Sequence, residues 1–210
     1  MSPLVLCYHA VSPGWEHRLC ITPDLLLQQV RALRRFRPVH ATFDDAFRSA
    51  ASVFPALRDL GVSLQIFVCT GYAREGGPLT IPELAGDDPS ELATMTWDEL
   101  RSHADDGVLI GSHSVTHAHL AALGDDELRR EVDKSKAAIE DELGRPCPHF
   151  AYPYGEHDTR VRGAVRAAGY ERAYSLRTRQ RNPYALPRVD LYRRHTVPRA
   201  LLRVLVSKGR

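Results

Sequence analysis

The chain has 210 residues, 43% of them hydrophobic and 26% charged, with 28 basic against 26 acidic side chains. A folded chain of this size buries about 70% of its unfolded surface, so this composition excludes wholesale disorder and requires no disulfide staples. A net charge of +2 gives no reason to expect nucleic acid as the main partner, and no run approaches the ~18 consecutive apolar residues of a membrane span.

Short apolar runs alternate with amphipathic stretches along the whole chain. Pro3–His9 reads as a strand. Thr22-Pro23 then opens a helix carrying Leu25, Leu26, Val30 and Leu33 on one face. Val39–Phe43 is the next strand, Ala46–Leu60 a helix and Val62–Cys69 a third strand. Gly71–Met95, rich in Gly, Pro, Asp and Glu, reads as a loop excursion at the sheet's carboxyl edge. Thr96 to Glu99 has capping-box spacing and opens a helix that runs to Asp106, before Gly107. The strand Val108–Ser112, the charged helix Asp125–Leu143 closed by Gly144, and the strand Pro148–Tyr152 follow. Thr159–Ala168 is a helix ending at Gly169, Glu171–Leu176 and Ala185–Asp190 are strands, and Pro198–Val206 is a last, basic helix.

This alternation predicts an α/β fold with a mainly parallel sheet, over one domain spanning residues 1–210. The strands are apolar at consecutive positions, as strands covered on both faces are. Seven of them suit a small or incomplete (β/α) barrel, with a doubly wound open sheet as the alternative. The N-terminus shows neither a basic n-region nor a small-residue cleavage site. Cys7, Cys20, Cys69 and Cys147 form no C-x-x-C pair. Both features predict reduced, buried thiols and a cytoplasmic location.

Three segments carry chemistry. His40-Ala41-Thr42-Phe43-Asp44-Asp45 runs an apolar strand into two carboxylates. On an extended chain these point to opposite sides, so one can bind a metal while the other faces a reacting water; otherwise they cap the next helix. His113-Ser114-Val115-Thr116-His117 places two histidines four apart, usable spacing for zinc, or else a polar loop. Phe150-Ala151-Tyr152-Pro153-Tyr154-Gly155 ends a strand in a rigid turn. Pro153 has no N–H, and the amides after it are free to face a ligand; the alternative is a β-turn with aromatic packing. Each segment follows a candidate strand, at the edge where β/α folds collect active sites. One Asp and two His leave a metal shell open for water and substrate, and the other Asp is then a candidate general base.

In these residues the chain resembles the polysaccharide deacetylases, carbohydrate esterase family 4, with the NodB homology domain. Thr42-Phe43-Asp44-Asp45 matches their first motif, His113 to His117 their H-S/T-x-x-H, and Pro153-Tyr154-Gly155 their third. Tyr8-His9 and Thr96-Trp97 add to a likeness covering about residues 4–190. The resemblance implies a distorted (β/α) barrel, with Asp45, His113 and His117 holding one divalent ion (zinc, or cobalt, nickel or manganese). It implies Asp44 as general base and the Tyr154 amide as an oxyanion donor. Three departures stand out. Ala46 replaces a usual Gly, Ala151 replaces an Arg that orients the base in many members, and the late L-x-L-H motif that carries the general acid is not visible.

The function expected is metal-dependent hydrolysis of the N-acetyl group of an amino sugar. A related metal-dependent amidase and a silent sugar-binding homologue are the alternatives. The leaving amine needs a proton, and His is the side chain suited to give it near neutral pH. The candidates are His9, at the end of the first strand, then His157 and His195. The basic, apolar segment Arg193–Arg210 reads as a packed helix, with weak contact to an anionic membrane surface as the other use.

Overall fold

The computed structural model describes residues 2–176 and 182–208. In chain order it contains β1 (Leu4–Tyr8), β2 (Ala10–Val11), β3 (Cys20–Ile21), α1 (Pro23–Leu33), β4 (Val39–Asp44), α2 (Phe54–Asp59), β5 (Ser63–Val68) and α3 (Trp97–Asp105). β6 (Leu109–Ser112), α4 (Asp125–Leu143), β7 (His149–Ala151), α5 (Thr159–Ala167), β8 (Arg172–Ser175), β9 (Leu186–Pro187), β10 (Val189–Asp190) and α6 (Val197–Lys208) follow. The main sheet has eight strands in the order β10-β1-β4-β5-β6-β7-β8-β9, every neighbouring pair parallel. All six residues of β4 are buried, as a strand with packing on both faces requires.

The sheet is a nearly closed, distorted (β/α) barrel, not a doubly wound open sheet. The expected single strand Ala185–Asp190 closes it and corrects the count of seven. It splits at Arg188. Leu186 and Pro187 pair with Tyr174 and Ser175 of β8, while Val189 and Asp190 pair with Leu6 and Cys7 of β1. One extended segment thus joins both edges, its first half against β8 and its second half against β1. Arg188 N donates to Ser175 O and Leu191 N to Cys7 O, both at 3.0 Å.

The helix expected over Ala46–Leu60 is also corrected. Asp45 and Ala46 have left-handed φ values of 68° and 55°, which no right-handed helix admits. Met95 N and Arg48 N are bonded instead to Ala46 O and Ala93 O, each at 2.8 Å. A 3₁₀ segment, Arg48–Val53, precedes the six-residue α2, with proline in its first turn. The aspartate pair therefore does not cap a helix.

The excursion after β5 is a folded arm. Trp15, Phe47, Leu79, Ile81, Leu84 and Leu92 form a small core beneath it, and Thr94 and Ala93 form antiparallel bridges to Phe47 and Pro78. The capping box predicted at α3 is formed in both directions: Glu99 N donates to Thr96 Oγ1 at 3.3 Å, and Thr96 N to Glu99 Oε2 at 2.7 Å. The four cysteines are buried and unpaired. Among the described residues no helix is long and apolar enough to cross a membrane.

Candidate functional site

The three chemistry-bearing segments meet at the carboxyl ends of β4, β6 and β7. Asp44 ends β4, and the left-handed turn at Asp45 swings the second carboxylate round, so strand alternation does not separate the pair. Both reach the same imidazole: His113 Nε2 lies 3.6 Å from Asp45 Oδ1 and 3.9 Å from Asp44 Oδ2. His117 Nε2 lies 3.4 Å from Asp45 Oδ1. Asp45, His113 and His117 are all buried, with one donor atom from each within 4.8 Å of the others.

The histidine loop is held by its surroundings. Ser114 and His117 sit at φ 68° and 61°, conformations that cost energy for residues with a Cβ. Glu131 of α4 secures the loop, accepting from Val115 N at 2.8 Å, Thr116 N at 2.9 Å and Thr116 Oγ1 at 2.8 Å. His117 N donates to Ser114 Oγ at 3.1 Å.

His113 Nδ1 is 2.8 Å from Ala151 O. A carbonyl can only accept, so Nδ1 carries the proton and Nε2 presents its lone pair to the aspartates. Burial lowers both His113 and His117 to about 4, against the pull of the aspartates, so both rings are neutral at neutral pH. Burial also raises Asp45 above its ordinary value, with His113 and His9 opposing it.

Between His113 Nε2 and Asp45 two acceptors face each other with no hydrogen between them, an arrangement that suits a cation. Donors ~2.0–2.1 Å from a tetrahedral zinc stand about 3.4 Å apart, and the Asp45–His distances are 3.4 and 3.6 Å. The neutral imidazoles are in their ligating form, and the His113–Ala151 bond orients one of them as ligating histidines commonly are. The residues fit a divalent ion.

Asp44 has a different partner set. Arg188 Nη1 donates to Oδ1 at 2.6 Å and Nη2 to Oδ2 at 2.7 Å, and Cys7 Sγ is 3.4 Å from Oδ2. Burial pushes the Asp44 carboxyl up, but the Arg188 guanidinium and His113 outweigh it and hold Asp44 well below the usual carboxylate range. Arg188 is buried, bonded also to Thr42 Oγ1 at 3.0 Å, and lies over the rings of Phe67 and Tyr174. The two carboxylates are thus electrostatically unlike: one is neutralised by a fixed arginine, the other faces two neutral imidazoles.

A family model for polysaccharide deacetylases matches residues 34–173. The chain belongs to the polysaccharide deacetylase family. It is 22% identical over 211 residues to YxkH of Bacillus subtilis (strain 168), provisionally named a polysaccharide deacetylase, covering 88% of this chain and 70% of that one. Its fold is similar to that of Streptococcus pyogenes deacetylase PplD in complex with acetate, with a TM-score of 0.77, 18% identity, and coverage of 95% and 96% of the two chains. IcaB from Ammonifex degensii gives a TM-score of 0.76 at 21% identity, covering 95% of this chain and 96% of that one.

For a polysaccharide deacetylase, Ala151 at the end of β7 is the departure that the structure explains. The small side chain joins Phe67 and Tyr174 in one buried cluster, and the guanidinium above those rings comes from Arg188 instead. Sequence reasoning missed Arg188 because it lies 144 residues from Asp44. The available signal was a lone arginine inside an otherwise strand-like run.

The three histidines proposed for proton donation separate clearly. His9 is buried, with Nδ1 unpartnered among the described residues; it is grouped with Cys7 and Asp44 through donor atoms within 4.8 Å of one another. Its ring stacks near Tyr192 at 6.0 Å. His157 is turned to Arg162, 3.0 Å from its Nδ1, and lines a separate hollow with Ala121, Gly155, Glu156 and Ser175. His195 accepts from Tyr192 N at 3.1 Å and its carbonyl binds Gln29 of α1. Only His9 is brought beside Asp44.

Pro153–Gly155 forms one 3₁₀ turn with Tyr154 at φ 59°. Gly155 N and Glu156 N are bonded within it, to Tyr152 O and Pro153 O. The Tyr154 ring packs on His117 at 4.5 Å and flat on His119 at 3.8 Å, and its hydroxyl donates to Glu83 of the arm. The arm and the third motif thereby form one wall of the mouth.

Proposed function

We propose that this polysaccharide deacetylase hydrolyses the N-acetyl group of an amino sugar in a metal-dependent reaction, as one catalytic domain. The observation that carries this reading is the juxtaposition of a buried three-donor cluster with a separately ionised carboxylate. Asp45, His113 and His117 would hold the divalent ion, zinc or else cobalt, nickel or manganese. Bound there, such an ion supplies Lewis acidity toward the acetamide carbonyl and the attacking water.

The chain's own groups divide the remaining work. Asp44, ionised and fixed by Arg188, accepts the proton of water as the C–O bond forms. The Tyr154 amide donates to the developing oxyanion, since its neighbours Gly155 and Glu156 are engaged within the turn; Pro153 shapes that turn and contributes no N–H. His9 gives a proton to the nitrogen as the C–N bond breaks, releasing acetate and a free amine. Four buried thiols support a reducing, cytoplasmic location.

The test is acetate release by metal-reconstituted protein from a panel of N-acetylated sugars and non-sugar amides. Acetate from N-acetylglucosamine-containing glycans is expected. Turnover of non-sugar amides alone would reassign the substrate, and sugar binding without acetate would reassign the chain as a binding homologue.

A further inference from the structure

Charge and apolar exposure coincide on one flank of the barrel. Residues 30–38 and 191–210 contain ten of the chain's 28 basic residues and none of its 26 acidic ones. The rest of the chain is acidic, with 18 basic against 26 acidic side chains, so a near-neutral total hides a strong separation. The first segment ends α1 and the second includes α6, and these two helices pack together. The basic residues are thus gathered at the carboxyl end of α1 and along α6, with Asp24 at the opposite end of α1 and Asp190 paired with Arg203 as the acidic neighbours. The last two residues of the second segment lie outside the described residues.

The same face exposes apolar side chains. Along α6, Ala200 and Val204 point inward and are buried, while Leu202 and Leu205 are 60% and 64% exposed. Phe36, just past α1, is 68% exposed. These are three of the four large exposed hydrophobics among the described residues. Single exposed leucines are ordinary, but three large apolar groups set among Arg31, Arg34, Arg35 and Arg199, all exposed, make an amphipathic surface of opposite design to the rest of the protein.

Topology sets the direction of this face. Beyond α1 the chain reaches Pro38, whose carbonyl accepts from Leu4 N at 2.8 Å. Leu4 and Val39 begin their strands, so Phe36 lies near the barrel floor, opposite Asp44. α6 leaves the mouth end after β10 and runs back along α1. The carboxyl end of α1 and the exposed side of α6 therefore cover flank and floor, whereas Arg193 and Arg194, ahead of α6, stay at the mouth end against Trp15 and Tyr192 and are not part of this face.

We propose that the α1–α6 face docks on an anionic lipid surface, arginines at the headgroups and Phe36, Leu202 and Leu205 at the acyl boundary, with the mouth turned to solvent. A nucleic acid or acidic glycan would answer the charge but leave the leucines in water. A lipid interface answers both, which is why basic residues and apolar side chains recur together on interfacial helices.

The experiment is co-sedimentation of the full chain with phosphatidylcholine vesicles, with and without phosphatidylglycerol. Binding to the anionic vesicles alone, weakened by salt, is expected. Leu202→Ser/Leu205→Ser should lower the partition by about tenfold or more, and each of Arg34→Gln and Arg199→Gln by about fivefold. Should the leucine variant fail to fold, as judged by circular dichroism, Phe36→Ser on the neighbouring segment tests the same apolar contribution. Equal binding to both vesicle types, or to neither, overturns the proposal. So does binding of an oligonucleotide as tight as that of vesicles and indifferent to the apolar substitutions. A dimer lost in the leucine variant, without vesicle binding, would make a second copy the occupant and equally overturn it.

Discussion

Arg188 and Asp44 form a buried two-point ion pair, Nη1–Oδ1 2.6 Å and Nη2–Oδ2 2.7 Å, although β4 and the segment between β9 and β10 are remote in the chain. Removing one partner leaves an uncompensated buried charge. Arg188→Met is therefore expected to destabilise by about 3–5 kcal/mol. Arg188→Met/Asp44→Asn should recover most of that loss, because both charges are then gone. Urea unfolding of the wild type, both single variants and the double variant measures the coupling; simple additivity would show that the pair does not act as a unit. Arg188→Lys should rescue activity poorly, since an ammonium cannot reproduce the two-point contact.

The two aspartates are expected to fail differently. Asp44→Asn should retain stoichiometric metal and lose roughly 10²–10⁴-fold in kcat, the usual contribution of a general base. His113→Ala and His117→Ala should each lose the metal. Elemental analysis beside kinetics separates these outcomes, and metal loss in Asp44→Asn would reverse the roles assigned to Asp44 and Asp45.

Glu131 lies outside the ligand cluster but holds the loop between the histidines through three hydrogen bonds. Glu131→Ala is expected to weaken metal affinity by about 10–100-fold, as loss of supporting partners commonly does. Competition titration with a chromogenic chelator reads this directly. Unchanged affinity would mean that the left-handed residues Ser114 and His117 hold the loop unaided.

For His9 the informative readout is the pH profile. His9→Ala should reduce kcat/KM by about 10²-fold or more and remove or move the basic limb, with metal still bound. An unaltered basic limb would pass proton donation to another group, and the placements of His157 and His195 make both poor successors.

The metal-free protein should lose stability as the pH falls from about 6.5 toward 4. His117 is held at about 4 in the fold by burial, against ~6.5 in an unfolded chain. Within that window the unfolded state binds the extra proton, so acid favours unfolding. Asp45, raised by burial, works in the opposite direction. The comparison is therefore between wild type and His117→Gln, with Asp45 present in both. Urea midpoints should fall less steeply with decreasing pH in the variant; parallel slopes would exclude His117 as a source.

The sequence by itself determined the β/α alternation, the ends of α3 and α4, and the three segments that meet at the mouth. These rest on local chemistry: Thr96 and Glu99 cap each other within one turn, Gly144 adopts the left-handed turn that closes α4, and apolar strands deliver polar residues at their carboxyl ends. Tertiary structure decided what depends on contacts across the chain. Asp45 and Ala46 appeared fit to start a helix, yet packing of the arm on Ala46 and Arg48 holds them in a left-handed turn that local preference disfavours. The split of residues 185–190 into two strands arises because a barrel needs one segment to pair with both edges. The same closure drives Arg188 into the interior, where only a buried carboxylate makes an arginine tolerable. No local pattern encodes that partnership, because its physical cause is the desolvation of two charges brought together by the closing of the ring.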